Sequence, residues 1–305
     1  MQNRKGQNQR LKFAIFGNSH QKARLPYIKL LLKQLKEHDC AIAIEKEFLS
    51  FLERELGKDV KADEEINNAK FEANYAISVG GDGTFLSTAA WIRDKNIPVI
   101  GINTGHLGFM ADARASDAGK IIDGISQGQF MIEKRSLLRL CVEGGSLNFY
   151  PVALNEVAIL KHEDSSMISI NTSIDDHFLA TYRADGLLVS TPTGSTGYPL
   201  SVGGPIIRPT AHAVCLTPVA AHSLNVRPIV LDDKITIRMA VRSRNHKFLV
   251  SVDGRSQSLK EDAELCIRKA PYYLNVLKMN KTNYFDTLRQ KLHWGVDPTD
   301  ADSAI

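Results

Sequence analysis

The sequence predicts an α/β domain followed by a β-rich domain, and three observations carry that prediction. Up to about residue 134, short apolar runs alternate with stretches of helical periodicity, which argues for a parallel sheet covered by helices. From about 135 to 274 the chain turns to short runs rich in Val, Ile, Thr and Tyr, broken by Gly, Pro, Asn and Asp, which is an all-β pattern. Glycine clusters directly follow two of the early apolar runs, where a parallel sheet would present the carboxyl ends of its strands.

Taken in order, residues 11 to 16 read as a strand. Residues 25 to 37 read as a helix, with Pro26 near its start and leucines at 30, 31, 32 and 35. Residues 41 to 44 and 75 to 79 read as strands, 85 to 95 as a helix and 99 to 102 as the next strand. In the second domain, 135 to 274, strands are expected at 137 to 142, 150 to 160, 167 to 174, 178 to 184, 187 to 190, 235 to 239 and 248 to 252. Helical spacing returns through Tyr284, Phe285, Leu288 and Leu292, so residues 275 to 305 are expected to pack back on the first domain, 1 to 134, with a frayed polar tail from Asp297.

Composition narrows the function classes. With 43% hydrophobic and 24% charged residues in 305, the chain reads as an ordinary globular protein large enough for two domains. Its net charge of +4 is dispersed among acidic residues, so neither nucleic acid nor a membrane is expected as a partner. No apolar stretch of about 18 residues exists, and the basic start (Arg4, Lys5, Arg10, Lys12) lacks the apolar core of a signal peptide, so the expected compartment is the cytoplasm. Cys40, Cys141, Cys215 and Cys266 are far apart with no CxxC pair, so they are expected to be buried free thiols rather than zinc ligands or a redox couple.

Four segments concentrate glycine and polar residues. Gly80-Gly81-Asp82-Gly83-Thr84 follows a strand, and glycines there let backbone N–H groups converge on an anion. Asp82 is the odd member, because a carboxylate beside phosphate oxygens needs a metal ion or a proton to accept. Thr84 could donate a hydrogen bond or cap the helix expected near Phe85. By itself the pentapeptide is equally a tight strand-to-helix turn with a solvated Asp82. Residues 103 to 109, NTGHLGF, follow the next strand and by themselves read as a turn with an exposed His106. Asn155-Glu156 interrupts an apolar run, so the pair is either a satisfied core network or a ligand contact. The fourth, residues 183 to 205, packs hydroxyls and glycines densely enough for a ring or ribose to approach the backbone, with Tyr198 either stacking on a base or filling the core. No GxxxxGK[ST] or GxGxxG motif is present, His212 and His222 lack a second ligand pair, and Ser195 lies outside a GxSxG elbow.

Together GGDGTFL at 80 to 86, NTGHLGF at 103 to 109, Asn155-Glu156, DGLLVSTPTGSTGYPLSVGGP at 185 to 205, SVDG at 251 to 254 and YFDTLRQKLHWG at 284 to 295 resemble the bacterial NAD kinase family, in order and over nearly the whole chain. The resemblance implies a Rossmann-like parallel-sheet domain carrying the GGDGT loop, a β-rich domain that binds NAD, and an active site between them. It implies transfer of the γ-phosphate of ATP to the 2′-hydroxyl of the NAD adenosine ribose, with Mg²⁺ or another divalent cation accompanying ATP and no metal ligand assigned among the side chains. Asp82 then corresponds to the general base, and Gly80, Gly81, Gly83 and Thr84 to the phosphate loop. Gly83 and Phe109 correspond to further NAD contacts, Phe109 beside the nicotinamide half. Asn155 and Glu156 correspond to the holders of adenine and ribose, Thr196, Gly197, Tyr198, Pro199, Leu200 and Ser201 to the adenosine wall, and Arg255 to a variable NAD contact. Arg183 stands where members preferring NAD over NADH carry Arg, and Asp185 where a carboxylate reaches NAD across a subunit boundary, in keeping with a homotetramer or homodimer. Gly197 departs from the Ala that many members carry. The competing readings are a catalytically silent NAD-binding regulator and a GGDGT-type lipid or sugar kinase.

Overall fold

Strand β1 (Lys12–Gly17) is buried through its middle four residues, as a parallel strand covered on both faces must be. It opens the computed structural model, which describes residues 10–57, 60–103, 108–111, 113–162, 166–279 and 283–295. The chain divides into two units, residues 1–133 with 275–305, and residues 134–274. In the first unit, helix α1 (Leu25–Glu37) carries Pro26 in its first turn and buries Ile28, Leu31, Leu32 and Leu35 along one face. Strand β2 (Ala41–Glu45) runs into helix α2 (Lys46–Leu56), which was not among the expected elements and is capped by the Glu45 carboxylate, an acceptor for the N–H groups of Glu47 and Phe48. There follow β3 (Glu64–Ile66), β4 (Tyr75–Val79), α3 (Asp82–Ile92), β5 (Val99–Asn103), β6 (Ala113–Arg114), α4 (Ala118–Ser126) and β7 (Phe130–Arg135).

The second unit is almost entirely strand: β8 (Leu138–Glu143), β9 (Val152–Ala153), β10 (Glu156–Lys161), β11 (Ile168–Ile174), β12 (His177–Ala184) and β13 (Gly186–Ser190). A single helical turn, α5 (Tyr198–Ser201), precedes β14 (Ala213–Val219), β15 (Ile229–Asp232), β16 (Thr236–Arg242), β17 (Lys247–Val252), β18 (Arg255–Lys260) and β19 (Glu264–Lys269). The chain then returns to the first unit with β20 (Leu274–Met279) and α6 (Tyr284–Leu292), whose N-cap Asn283 accepts from Phe285 N–H.

Strand order in the first sheet is β3-β2-β1-β4-β5-β20-β7, with β6 beside β5. The chain moves outward from β1 to β3 and then crosses to the other side of β1, so the winding reverses between the parallel neighbours β1 and β4. Open α/β sheets bind ligands beyond the carboxyl ends at such a reversal, and the GGDGT segment leaves β4 there. Phe13, Ile15, Ile42, Ile44, Ile77 and Val79 of the sheet share one core with the buried faces of α1, α2 and α4. The second unit holds two antiparallel sheets, β15-β14-β13-β10-β17-β18 and β12-β11-β16-β19-β8-β9. Val157, Val189 and Phe248 of one share a core with Leu140, Ile170 and Ile267 of the other, so they form a sandwich. Among the described residues no helix is long and apolar enough to cross a membrane.

Three expectations need correction. The helix after the glycine turn spans Asp82–Ile92 rather than 85 to 95, and Gly81 rather than Thr84 stands at its N-cap. The expected strand over 150 to 160 is broken between β9 and β10 at Leu154-Asn155. Cys40 and Cys215 are buried, but Cys141 and Cys266 are half-buried and face each other across β8 and β19. Arg4, Lys5, His106 and the tail from Asp297 lie outside the described residues.

Candidate functional site

The first group of site residues sits at the exit of β4. The first bond of the α3 ladder runs from Phe85 N–H to Gly81 O at 3.2 Å, so the N–H groups of Asp82, Gly83 and Thr84 precede the ladder and form the positive end of the helix dipole. Asp82 points its carboxylate the other way, at the chain emerging from the neighbouring strand β5. Oδ2 accepts from Phe109 N–H at 3.0 Å, and Oδ1 from Met110 N–H at 3.0 Å and Ala111 N–H at 3.3 Å. The second glycine segment is thereby tied to the first. Gly108 permits this approach, since a Cβ there would lie 2.1 Å from Asp82 Oδ1. A cleft of about 480 Å³ opens beside Gly83, Thr84 and Ser87 of α3, lined also by Gly17 to His20, Glu45, Glu47 and Trp91. Sequence reasoning missed Asn18, Ser19 and His20, although they follow Gly17 at a strand exit just as the GGDGT residues do.

The second group belongs to the sandwich. Asn155 and Glu156 stand at the break before β10, and a third carboxylate, which the sequence marked only as part of SVDG, holds that break open. Asp253, with its side chain 3% exposed, accepts from the N–H groups of Leu154 at 2.7 Å, Asn155 at 2.9 Å and Glu156 at 3.2 Å. From the other side, Thr191 N–H donates to Asn155 O and Thr191 Oγ1 to Leu154 O. Asn155 Oδ1 and Glu156 Oε2 are buried without a hydrogen-bond partner, as is Thr193 Oγ1 in the adjoining turn. Buried acceptors left open are costly, and their gathering here marks a place that a ligand's donors would complete. A Cβ at Gly197 would stand 3.2 Å from Asn155 Nδ2 and 3.5 Å from Glu156 Oε2, so this loop passes in close contact with the pair.

Burial first, and the Asp253 charge second, push the Glu156 carboxyl up to about 7. Burial pushes Asp253 up as well, against the pull of its N–H donors and of Arg255. A raised carboxyl is held protonated in the fold while the unfolded chain has released its proton, so stability falls as pH rises from about 4.5 to about 7. The cost of the charge above pH 7 is on the order of 3 kcal/mol. Glu156→Gln is therefore expected to raise the melting temperature at pH 8 clearly more than at pH 5. Thermal unfolding at the two pH values checks this, and an equal change at both would remove the buried charge from the account.

Other residues take distinct places. Tyr198 opens α5 with 40% of its surface exposed, so its ring does not fill the core, whereas Pro199 is buried. Thr196 Oγ1 turns back to Thr193 O at 3.4 Å, Leu200 is half-buried and Ser201 exposed. Arg255 spends its guanidinium inside the unit, donating to Val252 O and Val152 O, 3.8 Å from Asp253 Oδ2. Arg183 is exposed on β12, and Asp185 pairs with Lys161 at 2.9 Å. Register puts Gly186 opposite Leu160 but Ser190 opposite Glu156, so Asp185 lies at the far end of the β10 and β13 pair from Glu156, roughly 14 Å or more along the strands.

Residues 13–130 match the family described as ATP-NAD kinase N-terminal domain, and residues 154–279 match the ATP-NAD kinase C-terminal domain. Among curated proteins, an NAD kinase of Bacteroides fragilis is 48% identical over 287 residues, covering 94% of this chain and 99% of its own. An NAD kinase of Porphyromonas gingivalis is 44% identical over 284 residues, covering 93% and 98%. Two solved structures share the fold. Yeast NADH kinase complexed with NADH gives a TM-score of 0.83 at 19% identity, covering 95% of this chain and 90% of its own. An NAD kinase from Archaeoglobus fulgidus in complex with ATP gives 0.71 at 23%, covering 93% and 99%.

Proposed function

The chain belongs to the ATP-NAD kinase family, and from that premise we propose that Asp82 takes the proton of the NAD 2′-hydroxyl while Asn155 and Glu156 hold the adenosine that carries it. The observation that carries this reading is the three-donor clamp on Asp82. A carboxylate has about four lone-pair sites, and Phe109, Met110 and Ala111 engage one on Oδ2 and two on Oδ1. Among the described residues no donor engages the second site on Oδ2, which gives the base a single oxygen and direction. The N–H groups at the start of α3 suit the ATP phosphates, with Gly80 and Gly81 letting the chain turn beneath them. The cleft along Asn18 to His20 offers room for the rest of the nucleotide.

Among the described residues no group of three or more acidic, histidine or cysteine side chains is placed to hold an ion. A divalent cation accompanying ATP would offset the charge that builds up on the phosphate oxygens during transfer. Asn155 Oδ1 and Glu156 Oε2 accept from the adenine amine and the ribose hydroxyl, Tyr198 stacks on the base, and Phe109 lies toward the nicotinamide half. Since the ionised form of Glu156 accepts with both oxygens and in stronger, charge-assisted bonds, kcat/KM for NAD is expected to rise with pH to a plateau above about 7, and Glu156→Gln is expected to abolish that limb. Arg183 and Asp185, at the far end of the strand pair, are read as serving the dinucleotide of a second copy in a homotetramer or homodimer, with Arg183 favouring NAD over NADH.

Purified protein with ATP, Mg²⁺ and NAD is expected to form NADP, detected with an NADP-specific dehydrogenase. No NADP while NAD still binds would transfer the reading to a silent regulator. Tyr198→Ala is expected to raise the KM for NAD about tenfold at nearly unchanged kcat, as loss of ~1–1.5 kcal/mol of stacking implies. An unchanged KM would leave Tyr198 without a part in binding.

A further inference from the structure

We propose that Cys141 and Cys266 are a modification site, a cross-strand pair on the outer face of the sandwich that closes reversibly to a disulfide. Residues 141 and 266 are direct partners in the antiparallel register of β8 and β19, and directly opposed side chains stand on the same face. Their strand neighbours Leu140, Leu265 and Ile267 are buried in the sandwich core, so alternation turns both sulfurs outward, and both residues are half-buried rather than enclosed.

The kind of pairing also matters. Ala270 N–H donates to Leu137 O, its direct partner in the same register, four residues further along. Pairs alternate along an antiparallel ladder, so Cys141 and Cys266 form a pair of the same hydrogen-bonded kind, with Cα atoms ~5.5 Å apart. That spacing lies within the range of disulfides. Opposed Cβ atoms at ~4.5–5.5 Å must draw in by roughly 1 Å to reach disulfide geometry. The closed bond therefore pulls on two hydrogen-bonded strands, and strained, accessible disulfides are the readily reduced ones.

The surroundings are of mixed charge, with Glu143 and Glu264 the pair on one side and Arg238 ion-paired to Glu143 and Asp176. Arg238 of β16 stands opposite Cys266, and Arg139 and Arg268 form the next pair along the same face. Burial pushes the Cys266 thiol up, the charge of Arg238 draws it back, and the neighbouring Cys141 and Glu143 raise it. Closure by a low-molecular-weight disulfide such as oxidised glutathione balances in two exchanges. One protein thiolate attacks a sulfur of the disulfide, giving a mixed disulfide and one glutathione thiolate. The second protein thiolate attacks the protein sulfur of that bond and expels the second glutathione thiolate. The two protein thiols lose two electrons, the small disulfide gains them, and the two thiol protons pass to the released thiolates.

The test uses the full chain, reduced, desalted and then incubated under native conditions with excess oxidised glutathione. Thiols are counted in denaturant and bonds located by peptide mapping. Expected is the loss of two of the four thiols, a peptide linking Cys141 to Cys266, and full recovery with a dithiol reductant. Cys141→Ser and Cys266→Ser should each abolish the linked peptide. Four free thiols after treatment, glutathione adducts without a linked peptide, or bonds only between chains would each overturn the proposal, and these outcomes are read on the wild-type protein however the variants fold.

Discussion

Asp82→Asn is expected to lower kcat for NADP formation by ~10²–10⁴-fold, the usual contribution of a positioned general base, with the KM for NAD within about threefold of wild type. The amide keeps an acceptor oxygen for Met110 and Ala111 N–H, but it puts an NH₂ group where Oδ2 accepts from Phe109 N–H at 3.0 Å. It thus removes the basic lone pair of Oδ2 that no described residue engages, together with one hydrogen bond. The lost bond is to a charged acceptor, so a stability decrease of ~1.5–3 kcal/mol accompanies the loss of rate. Calorimetric NAD titration and steady-state rates on the same preparation separate the two effects. Turnover within tenfold of wild type would strip Asp82 of the role of base.

The second large effect is expected at Asp253. Its carboxylate satisfies three consecutive N–H groups, those of Leu154, Asn155 and Glu156, in a place where the strand ladder is interrupted. Asp253→Asn sets an NH₂ group against donors and removes the buried charge. The break should loosen, with a fall in kcat/KM for NAD of roughly 10–100-fold and a stability loss of ~3 kcal/mol. A residue that only braces the fold would do no more than this. Because the charge of Asp253 helps to push Glu156 up to about 7, the variant should also move the pH limb of kcat/KM to lower pH. A limb that stays in place while affinity falls would reduce Asp253 to a structural brace.

The two-part architecture was legible because helical and strand periodicities are local properties, and residues 11 to 102 and 137 to 252 display them plainly. Helix α2 was legible too but overlooked, since Phe48, Leu49, Phe51 and Leu52 recur at helical spacing behind the capping Glu45. Local propensity sets the start of α3 too late, because Gly-Gly-Asp-Gly is a poor helix former. What fixes that start is the N-cap position of Gly81 and the clamp on Asp82 from residues 27 to 29 positions away. In the apolar run from 150 to 160 the polar pair Asn155-Glu156 marks the place of the break, but a polar pair inside an apolar run reads equally as a buried network or a ligand contact. The cause of the break is the carboxylate of Asp253, 97 to 99 residues on. Cys141 and Cys266 meet through strand register alone, which spacing along the chain does not encode.

Two carboxylates divide the labour in this account, Asp82 for proton transfer and Glu156 for recognition. The most direct test of that division is NADP formation against NAD concentration at saturating ATP and pH 8, for wild type, Asp82→Asn and Glu156→Gln side by side. The expected result is a collapse of kcat at preserved KM for Asp82→Asn and a raised KM with kcat retained to within a few fold for Glu156→Gln. The same kcat and KM pattern in both variants, or a collapse of kcat at Glu156 instead of Asp82, would contradict the assignment.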